Sequence, residues 1–530
     1  MNDTIIPPKP PDIINGIPIW FTEDVRQFNK LLDFPSEESY IHPHKFKCKD
    51  KEILFESYKL KNKFDLSNID LINNINLNIE EEKQKLINKK NKLIEKAKNN
   101  NNLQKQKEYE TKYKKKIDNI DNIIKSRIFE LRLTDTQKNI IDDWINESNK
   151  VYNFCVDLYN MDSTIFNKGY MSIKTDIFNK LYGNNKKGAP YDMLTDEIRS
   201  FCSNINSCLS NLKNGNINYF KMKYIKPTKK IRSLFISYKS VLENGIYPNL
   251  LGKINMNDKI NYNNIVNDCR LVYNNNTNKY YLKCPIYYTK INIEERQPIV
   301  ALDPGEKIFM TYYGLNECGK IGEDIRKPIL KIEKKIRQLQ RIKDHNINKN
   351  NKSIKHKKQL QKRINYKYEK INNKVKELHN QTAIFLCKNY KTIMIPEFET
   401  QNMLSNNKDL KNKIKNKIEE IKNGQNVKQE LKKYSRISRL NGRVKFVLNN
   451  LSHYGFRQHL TNKCSEYGCE LLKVTEEYTS QICPLCGKAE KTYEGRTKIC
   501  TNCNYRMNRD ISGARSILIK NYSEKIKLRR

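Results

Sequence analysis

Two cysteine pairs near the C-terminus constrain this chain more tightly than any other feature. Cys483 and Cys486, then Cys500 and Cys503, form C-x2-C units separated by 13 residues in CPLCGKAEKTYEGRTKICTNCN. Turn-forming residues follow each pair, which is the knuckle spacing of a tetrahedral four-cysteine zinc ribbon. Four thiolates close the coordination sphere, so a zinc ion held there is structural and offers no position to a substrate. The other ten of the 14 cysteines follow no repeating spacing. That usage points to a reducing, intracellular setting: the nucleus, or a viral or bacterial cytoplasm.

The formal net charge is +41, from 100 Lys and Arg against 59 Asp and Glu. A surplus of that size suits a polyanionic partner, because each neutralised phosphate releases condensed counterions. It does not distinguish DNA from RNA. No run of about 18 apolar residues occurs, so no membrane-spanning helix is expected. The opening stretch MNDTIIPPKPPDIING has no basic segment followed by an apolar core and does not read as a secretory signal. At 530 residues the chain is long enough for two or three domains.

Residues 1–70 mix Pro, Asn and aromatics and carry no readable assignment. Residues 78–126 read as charged helix, with Ile79, Leu86 and Leu93 seven residues apart. Two heptads are too few for a coiled coil, and the Asn run at 99–102 interrupts them. From Lys125 the texture turns globular: a short alternating strand, then an amphipathic helix capped by Thr134 or Asp135. DCRLVYNNNTNKYYLKCPIYY reads as a hairpin around a polar turn. Beyond Pro298 strands and helices alternate, which predicts an α/β core. Two basic helices there carry Ile325, Ile329, Ile332, Ile336 and Leu339, then Leu360, Ile364, Ile371, Val375 and Leu378. NINKNNKS joins them into a helical hairpin over 325–379.

Two acidic residues stand out beside the cysteines. In IVALDPGEK, four apolar residues deliver Asp303 to the end of a buried strand, and Gly305 permits a sharp exit. Taken alone, this reads first as the turn aspartate that ends many strands. In NRDISGARSILIK, Asn508 or Asp510 caps a helix whose Ser512, Gly513 and Ala514 allow close packing on a sheet. Phosphodiester cleavage by two metal ions requires carboxylates placed at such element ends.

The order of these motifs resembles the C-terminal half of TnpB-like proteins, the transposon-encoded RNA-guided nucleases also labelled transposase OrfB. The resemblance extends to EYTSQICPLCG, INNKVKELHNQTA and FRQHLTNKCSEYGCELLKV. It is strong over 298–520 and weaker over 128–290, and residues 1–125 fall outside it. That extension is similar to the eukaryotic and giant-virus relatives called Fanzor. The resemblance implies a RuvC (RNase H-like) α/β core with an inserted zinc ribbon and helical hairpin, after an N-terminal β-barrel and helical recognition region. The expected division is 1–125 as extension, 126–297 as barrel and recognition region, 298–480 as core, 481–506 as ribbon, and 507–530 as last helix and basic tail. It also implies Mg2+ (or Mn2+) as catalytic cofactor, zinc as structural cofactor, a guide RNA, a double-stranded DNA target and a separate transposon recombinase as partners.

Carried over by residue, Asp303 matches the first RuvC aspartate and Asp510 the third carboxylate. The middle glutamate of the family directly follows three apolar strand residues. Here Ile393, Met394 and Ile395 are followed by Pro396, and Glu397 comes one place late. A one-residue slip turns a strand side chain to the opposite face. Some Fanzor relatives carry the middle glutamate just upstream of the YTS motif, where this chain has Glu476 and Glu477. The expected catalytic set is therefore Asp303, Glu476 and Asp510, with Glu397 as second choice. The strand CELLKV is expected to pair beside the Asp303 strand and bring Glu476 to the same sheet end, leaving Glu477 as a surface residue. The function implied is an RNA-guided, Mg2+-dependent DNA endonuclease. The alternatives are a DNA-binding regulator without cleavage activity, favoured only by the shifted glutamate, and a transposase performing strand transfer itself.

Overall fold

Short apolar runs separated by amphipathic helices fold into packed layers because each element must bury one face. A computed structural model describes residues 13–14, 16–32, 40–48, 51–60, 69–71, 79–99, 103–120, 122–183, 188–226, 231–243, 245–256, 264–275, 277–348, 354–398, 441–476, 479–489, 497–521 and 526–528. The chain divides into two units, one formed by Met1–Asn78 with Lys290–Arg530 and the other by Ile79–Thr289. The segment expected as a single extension, 1–125, is thus divided at about residue 78 between the two. The N-terminal part of the first unit contains helix α1 (Glu23–Leu31) and strands β1 (Tyr40–Cys48) and β2 (Lys51–Lys59).

The second unit opens with α2 (Ile79–Asn99) and α3 (Leu103–Asp118). Strand β3 (Ile123–Arg132) follows, then α4 (Asp135–Met161), α5 (Tyr170–Tyr182) and α6 (Tyr191–Lys213). Thr134 is the cap of α4: its hydroxyl accepts from Gln137 N while Gln137 Oε1 accepts from Thr134 N, closing a capping box. Strands β4 (Ile231–Ile236), β5 (Asn255–Met256), β6 (Cys269–Asn274) and β7 (Lys279–Tyr288) complete the unit, with β6 and β7 forming the expected hairpin. The sheet is antiparallel in the order β5-β3-β7-β6-β4. Among the described residues no pairing joins β4 back to β5, so closure into the expected barrel is not seen among them. Trp144, Ile141, Phe201 and Leu282 lie in the core between this sheet and the helices.

The first unit resumes with β8 (Gln297–Pro304), β9 (Met310–Gly314), β10 (Glu317–Ile321), α7 (Arg326–Asn348), α8 (Ile354–Asn389) and β11 (Tyr390–Pro396). Then come α9 (Gly442–Leu451), α10 (His453–Tyr467), β12 (Glu470–Val474), β13 (Thr497–Ile499), β14 (Arg506–Asn508) and α11 (Arg509–Lys520). The strand order is β12-β11-β8-β9-β10-β2-β1. Strands β8, β11 and β12 run parallel, and the remaining pairs are antiparallel.

Alternation along β8 assigns its two faces. Val300 and Leu302, with Ile393 and Ile395 of β11, join one apolar cluster with α7, α8 and α10. Ile299 and Ala301, with Met394 and Val474, join another with α1 and α11. The expected hairpin is α7 and α8. Its positions Ile329, Ile336, Ile371 and Leu378 are at most 1% exposed. Each such side chain contributes roughly 1.5–3 kcal/mol over an exposed one, which fixes the apolar stripe inward and leaves the Lys and Arg faces outside. Among the described residues no helix is long and apolar enough to cross a membrane.

Candidate active site and metal centre

Asp303 stands one residue before the end of β8, after four wholly buried residues, Ile299 to Leu302. The turn beyond it is tightly fixed. A Cβ at Gly305 would lie 2.8 Å from the Ile308 carbonyl oxygen, so only glycine fits. Gly305 N donates to Phe309 O, and the Gly305 carbonyl lies 3.1 Å from His453 Nε2. Phe309 is sandwiched between His379 and His453, with ring centroids 5.3 and 5.2 Å away, and His379 Nε2 lies 2.8 Å from Leu451 O.

Burial pushes both imidazoles down from 6.5 to about 4, which favours the neutral ring. A depressed histidine binds its proton in the unfolded chain before the folded one, so its contribution is complete above pH 6.5 and is lost as pH falls towards about 4. The full loss is on the order of 3 kcal/mol per histidine. We expect the urea midpoint to fall between pH 7 and 5, and to fall less in His379→Asn, which does not titrate. An equal slope in both proteins would exclude a buried neutral His379.

Asp510 occupies the first turn of α11. The capping oxygen comes from Asn508, whose Oδ1 accepts from Asp510 N at 3.1 Å and Ile511 N at 3.3 Å. The Asp510 carboxylate is thereby not used as the cap. One turn on, a Cβ at Gly513 would lie 2.4 Å from Asp303 Oδ2, so the strand carboxylate rests directly on the helix at this glycine. Gly513→Ala should raise helix propensity by about 1 kcal/mol yet displace Asp303. Any activity that needs the Asp303 carboxylate is expected to drop at least about tenfold at unchanged or higher Tm, and an alanine variant that keeps it would deny the contact its role.

The strand register orders the candidate glutamates at this sheet end. Ala301 pairs with Met394 and Met394 with Leu472, while Pro396 pairs with Val474. Two residues onward, Asp303, Pro396 and the Val474 row share one face, and Glu397 falls on the other. The Glu397 side chain is 56% exposed and meets Lys473 at 3.6 Å. Glu476 lies two residues beyond Val474 and is half-buried. The strand before Glu476 pairs with β11 and not beside the Asp303 strand as expected. Parallel pairing nevertheless brings both to the same sheet end. Glu477 lies outside the described residues.

The Asp303 carboxyl retains some exposure but is packed closely by protein. Desolvation foremost, then the nearby carboxylates of Glu476 and Asp510, push it up to about 8, against an opposing pull from Arg509. Burial also raises Glu476, and Lys520 opposes this. Asp303 is thus within electrostatic reach of both Glu476 and Asp510, whereas the Glu397 carboxylate is largely exposed beside Lys473. Carboxylate oxygens such as these are the ligands that a hard divalent cation such as Mg2+ or Mn2+ takes.

The four cysteines also converge. Cys483, Cys486, Cys500 and Cys503 place all their sulfurs within 4.8 Å of one another, with Cys483–Cys503 at 3.7 Å and Cys486–Cys500 at 3.6 Å. Tetrahedral zinc with bonds of about 2.3 Å sets its sulfurs about 3.8 Å apart, so the cluster is the right size for zinc and far too wide for disulfides. Each knuckle is a backbone turn, with Gly487 N donating to Cys483 O and Asn504 N to Cys500 O. Both turn residues have positive φ, 76° at Gly487 and 54° at Asn504.

The sequence reading had no role for α1, yet this helix packs on the site. Phe21, Val25, Phe28 and Leu32 share the cluster that contains Ile511, Ala514 and Ile517. Their four-three-four spacing, with Thr22 as cap, was a legible amphipathic signal in FTEDVRQFNKLL.

Residues 453–517, which include Glu476, the four cysteines and Asp510, match the family described as Cas12f1-like, TNB domain. A TnpB-like protein of Acanthamoeba polyphaga mimivirus is 23% identical over 401 residues, covering 73% of this chain and 71% of that one. The chain is similar to TnpB-like proteins along most of its length. A CRISPR-associated endodeoxyribonuclease, Cas12f1 of Sulfoacidibacillus thermotolerans, is 34% identical over 76 residues, 14% of this chain and 18% of its own. A solved Cas12f1–sgRNA–target DNA complex overlays 77% of this chain and 100% of the Cas12f1 chain, with TM-score 0.33 and 13% identity.

Proposed function

We propose that this protein is an RNA-guided, Mg2+-dependent DNA endonuclease of a transposable element, cutting with a RuvC-type site. The observation that carries this reading is Asp303 at the end of a parallel strand, within electrostatic reach of Glu476 and Asp510. The order β10-β9-β8-β11-β12, three antiparallel strands followed by two parallel ones, supports a RuvC (RNase H-like) core. The similarity to TnpB-like proteins supports the transposon setting, and the short match to an endodeoxyribonuclease supports DNA as substrate.

In this reading Asp303, Glu476 and Asp510 hold the cations, and Glu397 has no part. The chemistry such cations supply is activation of water and stabilisation of the leaving oxygen. The protein's own contribution is placement: Gly513 lets Asp303 meet the helix, Asn508 fixes the start of that helix, and the histidine–Phe309 stack holds the turn after Asp303. Cys483, Cys486, Cys500 and Cys503 hold structural zinc in a ribbon inserted at about 481–506. The antiparallel sheet and helices of residues 126–297 serve as the recognition region. The basic faces of α7 and α8 lie along nucleic-acid phosphates, as the surplus of +41 favours. Pairing with a guide RNA reads the target, and a separate recombinase performs transposition.

The deciding experiment is to sequence RNA that co-purifies with the full chain, then assay DNA matched to it with Mg2+ and with chelator. A discrete RNA and guided, Mg2+-dependent cutting are expected. Random RNA with unguided cutting would leave a plain nuclease, and guided binding without cutting would leave the regulator reading.

A further inference from the structure

The N-terminal helix α1 makes a buried polar connection between the cysteine knuckle and the helix that carries Asp510. Asn29 is 2% exposed. Its Nδ2 donates to the carbonyl oxygens of Pro484 at 2.6 Å and Leu485 at 3.2 Å, both between Cys483 and Cys486. Its Oδ1 accepts from Arg515 Nη1 at 2.8 Å. Arg515 is wholly buried, and its Nη2 also donates to Asn29 O at 3.0 Å and Leu32 O at 3.2 Å. The guanidinium lies 5.7 Å from the ring centre of Tyr313 on β9. Phe21 seals the same junction: a Cβ at Gly487 would meet its ring at 2.4 Å. Ala489 N donates to Gly16 O at 2.8 Å.

Burying a guanidinium is costly unless its donors are satisfied, and a purely apolar contact would hold α1 on α11 without that cost. What the polar arrangement adds is direction. The planar fork of Arg515 fixes the rotation of α11, and the two ends of the Asn29 amide tie that rotation to the knuckle. Gly513 and Asp510 lie on the same short helix, where displacements of about 1 Å change activity about a hundredfold.

We propose that Asn29 and Arg515 are positioning residues that couple zinc retention in the knuckle to the carboxylate geometry of the nuclease site. The N-terminal segment is then part of the nuclease machinery and not an appendage. The inference rests on the nuclease reading only for its second half.

The test uses the full chain and two readouts: zinc release to a chelator, and the Mn2+ binding that Asp303→Ala removes. Asn29→Ala should release zinc about tenfold faster and weaken that Mn2+ binding about tenfold, the usual range for a group supporting metal ligands. Asn29→Asp keeps the acceptor for Arg515 and loses the donor to the knuckle, so it should speed zinc release with Mn2+ binding near wild type. Arg515→Met, of similar bulk, should weaken Mn2+ binding. If Asn29→Ala does not fold, the Asp variant carries the test. Folded variants that keep both properties within about twofold of wild type, or that change only Tm, overturn the coupling. If Asp303→Ala removes no Mn2+ binding, the nuclease reading and the second half fail together, and zinc release alone still decides the first.

Discussion

Guided cleavage should fall by at least about a thousandfold in Asp303→Ala or Asp510→Ala, with DNA affinity nearly unchanged. Affinity for a polyanion comes from the many basic side chains elsewhere, whereas the carboxylates act only on the reacting phosphate. The sharper part of the prediction concerns the middle position. Glu476→Gln should lose cleavage comparably, because an amide cannot supply the charge that two closely held cations require. Glu397→Gln should keep most activity, since that side chain is largely exposed and faces Lys473. Single-turnover cleavage on matched DNA, with binding measured in parallel by mobility shift, checks all four. An active Glu476→Gln beside an inactive Glu397→Gln would restore the ordinary family position, with a bulge at Pro396.

Loss of one zinc ligand should have the largest effect on local folding. One zinc per chain is expected, and Cys500→Ser should abolish tight binding. Structural zinc contributes roughly 10–16 kcal/mol of apparent binding energy in small sites, which a 21-residue segment from Cys483 to Cys503 cannot replace by core burial. Cleavage should fall as well, because β14 (Arg506–Asn508) leads from the second knuckle directly into the cap of α11. Elemental analysis and limited proteolysis across 481–506 measure the two effects. Soluble, fully active wild-type protein without zinc would refute the assignment.

Much of the site was legible in the residues themselves. The knuckle spacing is a local covalent constraint, and it brought the four sulfurs together as expected. The hairpin stripe was legible because a 3.6-residue period reports burial directly, and Ile329, Ile336 and Ile371 are indeed wholly or almost wholly buried. Asp303 after four apolar residues and Asp510 at a helix start were likewise local patterns. The sequence left Asn508 and Asp510 as alternative caps, and the structure shows that Asn508 takes that role.

Strand pairing and long-range packing were not encoded locally. Which glutamate joins the two aspartates depends on the parallel register of β8 (Gln297–Pro304), β11 (Tyr390–Pro396) and β12 (Glu470–Val474), segments separated by long helical stretches. A shift of one residue there exchanges the faces of Glu397 and its neighbours, and no period within either strand records the offset. The contact of Asn29 with Pro484 spans 455 residues. Composition and motif order set the chemistry this chain carries. Only the tertiary structure decided which residues meet, because register and the seating of α1 (Glu23–Leu31) are fixed by the whole core closing at once.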